Sequence, residues 1–454
     1  MVDQLSNVSE TFARFVAEAQ ARELPAEVRH EAKRSLLNFF ASALGGCRDQ
    51  AIEIAAGVLA GFAGKGEAAV IGRSGRTDAL TAAFLNAASG NVLDFDDTHV
   101  PTVIHPTAPV APALLALAAL RHVSGTDLLH AFVLGVEMEC RLGNVVSPGH
   151  YRRGWHITST CGVFGAAAAA GKLLGLDAVR MKWALGNASA HSSGLIETLG
   201  YMSKSSGVGN SARNGLLAAL LAQSGFAGPD RPLEGPRGFL AVMGGQDCDA
   251  RRLVRGLGDS WEILHNTYKP YPCGVVLNPV IDGVLELRER YGIKPDEVRN
   301  VVVTGHPLLG ERTNRPAPAS GREAQVSAQH GVAAALLRGV AGIAEFSDAA
   351  VADPTMTALR AKVRVEDDPA MALGTAKVTL ELDDGVQRTV QVAHGRGSLE
   401  HPLTDAELER KLATLAAHGC PDLDVGPLVD AVWSIEHFTD VQEVVRRAVP
   451  DAVR

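Results

Sequence analysis

The chain has no closely spaced cysteines, no basic stripe and no long apolar run, and each absence narrows what it can be. Its six cysteines, Cys47, Cys140, Cys161, Cys248, Cys273 and Cys420, lie far apart. None forms a CxxC pair or sits at ligand spacing from a histidine, which argues against an iron–sulfur cluster or structural zinc and for reduced, buried thiols. Lys and Arg are scattered and the formal net charge is -8, so no nucleic-acid partner is expected. The most apolar run, 110–120, is too short to cross a bilayer. The N-terminal MVDQLSNVSETFARFVAEAQ lacks the apolar core of a signal peptide. A cytoplasmic protein with no membrane partner is the expectation. A P-loop, a dinucleotide fingerprint and a GxSxG elbow are also missing, which lowers nucleotide chemistry and acyl hydrolysis.

What is there is long, apolar and helix-rich. At 454 residues the chain exceeds one ordinary core, so two domains are expected. Apolar residues make up 46%, with 47 glycines and a strong alanine bias, the composition of a densely packed globule. Residues 8–45 give two helix patterns, the first with Ser9 as cap, the second opened by Pro25 and Glu27 and stopped by Gly45-Gly46. A third helix spans 51–62, GEAAVIGRSGR reads as an extended excursion, and 77–91 is helical again. Helices follow at 107–123 and 126–142, then a loop at 146–155. His156 opens the next helix, whose Gly162, Gly165 and alanines 166–170 favour close packing, and Asp177 caps the one after it. Residues 191–210 read as a Gly- and Ser-rich loop carrying Lys204, with helix returning at 211–223. Composition changes near Trp261. A strand at 297–306, a helix at 324–338 and a hairpin over 374–394 turning at Asp383-Asp384-Gly385 form a small α+β unit, and helix resumes at 404–449.

The stretch NVLDFDDTHVPTVIHP, 91–106, stands out. It holds Asp94, Asp96, Asp97, Thr98, His99 and His105 between two apolar helix patterns. Burying unpaired charge is costly, so such a strip marks a polar cleft. Three further clusters join Gly or Pro backbone to His or Lys: 152–158 with His156, 204–210 with Lys204, and 265–273 with Tyr268 and Lys269. Lys269, between two tyrosines and two prolines, reads as a cation fixed in a rigid turn. Arg312 and Arg315 are candidates for binding carboxylate bidentately. Each has a plainer alternative: His99 as a loop histidine, Asp96 and Asp97 as backbone caps, Lys204 as a surface lysine. Histidines and lysines without a metal motif suit proton abstraction next to a carboxylate, because an unperturbed His titrates near neutrality and lysines can neutralise the dianion that forms.

The combination resembles the MmgE/PrpD family, which includes 2-methylcitrate dehydratases, cis-aconitate decarboxylases and iminodisuccinate epimerases. The motifs are DFDDTHVPTVIHP at 94–106, GWHITSTCGVFGAAAAAGKLLGLD at 154–177, MSKSSGVGN at 202–210, YKPYPCGVVLNPVID at 268–282 and TNRPAP at 313–318. The resemblance implies a mainly α fold with an all-helical domain built from both chain ends, 1–264 and 400–454, and an inserted α+β lid domain, 265–399. It also implies a homodimer that needs neither metal nor cofactor, with the active site between domains.

Carried over by motif, Asp94, Thr98 and His105 match the family's first active-site loop, here with one extra residue between Thr98 and His105. His156 matches the second active-site histidine, Lys204 the lysine of the third motif and Lys269 that of KPYP. The catalytic set is then His105, His156, Lys204, Lys269 and Asp94, and the substrate-binding set Thr98, His99, Tyr268 and Arg312. Two departures bear on the reaction. Arg312 stands where the decarboxylase branch has tyrosine, and Asn278 where many relatives have histidine. The resemblance implies a lyase abstracting a proton α to a carboxylate of a small di- or tricarboxylate, first a dehydratase of the 2-methylcitrate type. An iminodisuccinate-type epimerase and a cis-aconitate-type decarboxylase are the alternatives within the family, and a catalytically silent binding protein the alternative outside it.

Overall fold

The computed structural model describes residues 7–245 and 248–451. The chain divides into two compact units: unit 1 comprises Met1–Val92, Asp96–Asn266 and Asp405–Arg454, and unit 2 comprises Leu93–Phe95 and Thr267–Thr404. Helices dominate, and no helix among the described residues is long and apolar enough to cross a membrane.

Unit 1 is helical. Its N-terminal stretch holds α1 (Val8–Glu18), α2 (Ala26–Gly46), α3 (Gln50–Ala60) and α4 (Ala79–Asn91). The middle stretch holds α5 (Thr107–Leu117), α6 (Gly125–Val146), α7 (Gly149–Arg152), α8 (Ile157–Leu173), α9 (Ala178–Ser189) and α10 (Ser203–Gln223). The C-terminal stretch adds α17 (Asp405–Gly419), α18 (Gly426–Trp433) and α19 (Gln442–Arg446). The excursion between α3 and α4 is a two-stranded ribbon, β1 (Ala68–Ala69) paired antiparallel with β2 (Arg76–Thr77).

At the centre lies α8, whose first fifteen residues, Ile157 to Gly171, are all buried. A helix apolar on every side has no solvent face and must be surrounded; α5, α6, α9 and α10 surround it. Its glycines and alanines permit close approach. A Cβ on Gly165 would stand 2.9 Å from the Gly135 carbonyl of α6, and one on Gly215 of α10 would stand 2.4 Å from the Ala166 Cβ.

Unit 2 is built on a four-stranded sheet in the order β6-β5-β7-β8. Its strands are β5 (Val298–Gly305), β6 (Val363–Asp367), β7 (Ala376–Leu382) and β8 (Gln387–Val392), while the short β4 (Asn266–Tyr268) begins on the last residue of unit 1's middle stretch, after β3 (Asp97–His99) within that unit. β5 runs parallel to β6 and antiparallel to β7, and β7 and β8 form the hairpin. Its Asp383-Asp384-Gly385 turn needs Gly385 at φ +82°, a conformation glycine adopts without strain. The apolar stripe of α11 (Asn278–Tyr291), with Val280, Ile281, Val284 and Leu287 buried, packs with α14 (Ala328–Arg338) and strand residues Val301, Val303, Val378 and Leu380. The remaining short helices are α12 (Pro307–Thr313), α13 (Gly321–Ala324), α15 (Asp348–Ala352) and α16 (Pro354–Arg360).

Several local expectations are corrected. Asn7, not Ser9, caps α1: its side chain accepts the Glu10 N–H, while Ser9 lies in the first turn and its hydroxyl donates to Glu234. Asn and Ser are comparable caps, and tertiary contact decides between them. Gly45 and Gly46 do not stop α2 but belong to it, because only a residue without Cβ fits 2.2 Å from the Ser89 carbonyl at position 46. The loop at 146–155 contains the single turn α7. Lys204 is not in a loop: α10 begins at Ser203, eight residues before the expected start, so Lys204 lies in its first turn. Helix packing there overrides the weak helix propensity of Ser and Gly.

Candidate functional site

In unit 1 the polar stretch begins as β3 and is fastened to α5 by Asp97. The Asp97 Oδ2 accepts the backbone N–H of Thr107 at 3.2 Å, the Thr107 hydroxyl, and the Asn266 amide at 2.7 Å. Asp97 thus acts as the cap of α5, which Pro106 at the N-cap position cannot supply. The carboxyl is fully buried, and burial, with the neighbouring Asp96 adding to it, pushes its pKa up to about 6. Between the strand and the helix the chain makes a tight turn closed by the His99 N–H donating to the Ile104 carbonyl at 2.8 Å. In that turn Val103 holds φ +57°, an outlier for a β-branched residue and a sign of stored strain.

This turn fixes His105. Its Nδ1–H donates to the Asp97 carbonyl at 2.6 Å, with Thr98 Oγ1 at 3.4 Å and Asp96 Oδ1 at 3.5 Å. A carbonyl only accepts, so the proton sits on Nδ1 and Nε2 is the basic nitrogen. Asp96, itself accepting from the Asn91 amide at 2.6 Å, lies where its charge stabilises an imidazolium.

The backbone N–H of His105 donates to Thr158 Oγ1 at 3.1 Å, which ties the turn to the N-terminus of α8. His156 is the N-cap residue there, 4% exposed, with Nδ1 held against Ser159 Oγ at 2.7 Å and its N–H donated to the Gly194 carbonyl at 3.0 Å. Ser159 also meets α10. The Ser211 hydroxyl donates to the Ser159 carbonyl at 2.7 Å, and a Cβ on Gly207 would stand 2.8 Å from Ser159 Oγ. The Lys204 end of α10 is therefore packed against the His156 end of α8. Unit 1 gathers Asp96, Thr98, His105, His156 and Lys204 around one helix terminus.

His99 faces elsewhere. It is completely buried, with Nδ1 at 2.7 Å from Thr102 Oγ1 and Nε2 at 3.1 Å from Glu262 Oε2, and burial holds its pKa below the usual histidine range. The sequence offers a loop role, a catalytic role and a binding role for it, and its partner Glu262, 163 positions away, gives no local signal.

In unit 2, Asp94 and Lys269 form a buried pair. The Lys269 ammonium, 2% exposed, lies 3.1 Å from Asp94 Oδ1 and donates to the Asp94 carbonyl at 3.2 Å. Asp94 adopts φ +52°, an unusual conformation that aspartate tolerates better than most residues. Tyr268 is buried beside Lys269, and Arg312 occupies the last turn of α12, partly exposed. Cys273 is buried in the unit's core, where burial pushes its thiol pKa far up and removes it as a nucleophile.

Two buried groups were visible in the sequence without their roles being legible. Glu137 pairs with Arg141 one turn on, at 2.6 Å, and the i,i+4 spacing signals this. Glu139 is fully buried against Gly162 and Gly165 of α8, neither of its carboxyl oxygens has a hydrogen-bond partner among the described residues, and burial raises its pKa well above the ordinary value.

Comparison with known proteins places the chain in a family. Residues 10–250 match the MmgE/PrpD N-terminal domain and residues 271–434 the MmgE/PrpD C-terminal domain. The chain is 28% identical to the cis-aconitate decarboxylase of Homo sapiens over 96% of its own length and 93% of that protein's. It is 27% identical to the cis-aconitate decarboxylase of Aspergillus terreus over 96% of its length and 94% of that protein's. The chain belongs to the MmgE/PrpD family.

Proposed function

We propose that this protein is a lyase acting on a small di- or tricarboxylate, with His105 and His156 as the proton-transfer pair. The supporting observation is their convergence in unit 1: each ring has its Nδ1 held by a local partner, the Asp97 carbonyl for His105 and the Ser159 hydroxyl for His156, and the His105 N–H is tied to Thr158 in the first turn of the helix that His156 caps. Lys204, and Lys269 backed by Asp94, are the cations for substrate carboxylates and for the charge that develops when the α carbon loses its proton. Thr98, Tyr268 and Arg312 complete the binding set. His99 is left out, because both its ring nitrogens are occupied and its surface is fully covered.

The first reading is dehydration of a 2-methylcitrate-type substrate. One histidine takes the α proton, the other protonates the departing hydroxyl, and the C–H electron pair becomes the new double bond. Arg312, standing where the decarboxylase branch has tyrosine, supports it over decarboxylation. The second reading, decarboxylation of a cis-aconitate-type substrate, is favoured by the names of the curated relatives. There the carbon–carboxylate bond breaks, its electron pair stays on carbon, and a histidine protonates that carbon.

Incubation with 2-methylcitrate, cis-aconitate and iminodisuccinate in D2O separates the outcomes: a new ultraviolet-absorbing alkene, released CO2, or deuterium exchange without net product, the last marking an epimerase. His156→Ala and Lys204→Ala are each expected to lower kcat by roughly 10²–10³ with the helical circular dichroism unchanged. Lys269→Ala is expected to lower kcat/KM comparably. Near-normal turnover in His156→Ala would remove the histidine pair from the mechanism.

A further inference from the structure

Beyond the proton-transfer site, we propose that His99, Glu262 and His265 form a binding site for one divalent transition-metal ion of the zinc type, which clips the 97–104 turn to the 262–265 turn. All three lie in unit 1. Their ligand atoms fall within 4.8 Å of one another. His99 Nε2 is 3.1 Å and His265 Nδ1 is 3.7 Å from Glu262 Oε2. A tetrahedral ion with bonds of about 2.0–2.1 Å separates its donors by about 3.3 Å. The two measured edges bracket that value, and the third, between the two imidazoles, is at most 4.8 Å and closes by rotation of the half-exposed His265 side chain.

The local structure presents these donors together for a physical reason. Glu262 to His265 is a 3-10 turn, in which side chains three residues apart eclipse, so Glu262 and His265 project from the same side. The turn is braced from below: the Glu262 N–H donates to the Glu137 carboxylate, and Arg141, paired with Glu137, donates to the Arg255 and Ser260 carbonyls at 2.7 Å each. The facing segment is held in register by the Val100 N–H donating to the His265 carbonyl at 3.2 Å.

The outer partners fit as well. A ligating imidazole needs its second nitrogen bonded to fix the tautomer. His99 Nδ1 lies 2.7 Å from Thr102 Oγ1 and its Nε2 3.1 Å from Glu262 Oε2. When the ring proton sits on Nδ1, toward Thr102, Nε2 and the carboxylate are two acceptors facing one space, and a cation there replaces the Nε2–H hydrogen bond of the other tautomer. His99 is completely buried and forms the floor, while the His265 side chain is 51% exposed and gives entry from solvent. Two neutral imidazoles and one carboxylate suit zinc, cobalt or nickel rather than calcium or magnesium. The ion would have no step in the reaction proposed above; its role is to hold the turn that positions His105.

The test uses untagged full-length protein stripped with EDTA and then freed of the chelator. Titration with Co(II), followed by visible absorption, and with Zn(II), followed by calorimetry, is expected to show one saturable site per chain at micromolar or tighter Kd. His265→Ala and Glu262→Gln are each expected to weaken binding at least ~10-fold. His437→Ala, an exposed histidine elsewhere in the unit, should leave it unchanged. Zn(II) should raise Tm of the wild type and not of His265→Ala, which changes a half-exposed side chain and leaves the core intact. Absence of a saturable site overturns the proposal, as does a site unaffected by His265→Ala. Either result leaves the His99–Glu262 contact as a hydrogen bond with the proton on Nε2.

Discussion

Asp97 carries the positioning of His105 twice over, once through its carbonyl and once through its carboxylate. The carboxylate is costly to keep charged where it stands. Its pKa rises from an ordinary value of 3.8 to about 6 because it is fully buried. A carboxyl whose pKa is higher folded than unfolded contributes its stability below the unfolded value and loses it as pH climbs through the folded one. The wild type should therefore lose roughly 2 kcal/mol from this group between pH 4 and pH 6.5. Asp97→Asn keeps one oxygen for the Thr107 and Asn266 donors and does not titrate. Its stability advantage over the wild type, measured by urea denaturation across pH 4 to 8, should grow over that interval and then stay level. A difference that does not change with pH would mean that Asp97 titrates like an exposed carboxylate. The sequence made the 91–106 stretch conspicuous by its charge, and it weighed a capping role for Asp97. It could not show that the third partner is Asn266, 169 positions away. Such pairings depend on chain trajectory, which local patterns do not encode.

At the scale of elements, the legible features were those set by neighbours in sequence. The Asp177 cap, the Pro25 start, the β7–β8 hairpin and the close packing of α8 all follow from local chemistry, and all are present. The elements that local sequence does not signal depend on long-range partners. β6 is a short strand whose pattern is weak, and it exists because β5 offers it a parallel edge. The first turns of α10 have the pattern of a loop because Ser and Gly are poor helix formers, yet those small residues are what let α10 lie against α8 and α4. The role of Gly215 is testable. Its missing Cβ leaves room for the Ala166 Cβ at 2.4 Å and the Val163 carbonyl at 2.7 Å, backbone and near-backbone atoms that cannot swing aside. Gly215→Val should destabilise the protein by more than the ~1–3 kcal/mol of ordinary overpacking, and lower turnover by displacing the Lys204 end of the same helix. A Tm within a few degrees of the wild type would show that the two helices can separate at little cost.

Over the whole molecule, unit 1 is assembled from three separate stretches of chain, and the last of them is held by the first. α17 packs on α2, burying Leu408, Leu412 and Leu415. Lys411 donates to Asn38 at 2.7 Å, Arg34 pairs with Asp405, and a Cβ on Gly419 would meet the Leu44 carbonyl at 2.0 Å. The chain thus closes unit 1 only after unit 2 has been traversed. Contacts this distant in sequence slow folding, because loop closure precedes any gain from packing. They also make α17 a sensitive point for unit 1 alone. Leu412→Ala removes a completely buried side chain and should cost ~2–5 kcal/mol. Native-state hydrogen exchange is expected to quicken in α2, α4 and α17, while amides of β5 and β7 keep their wild-type rates, because the sheet's core of Val301, Val303, Val378 and Leu380 belongs to unit 2. Equal acceleration in both sets would mean that the two units open as one cooperative body, and that damage at the C-terminal stretch reaches Lys269 and Asp94 as directly as it reaches His105 and His156.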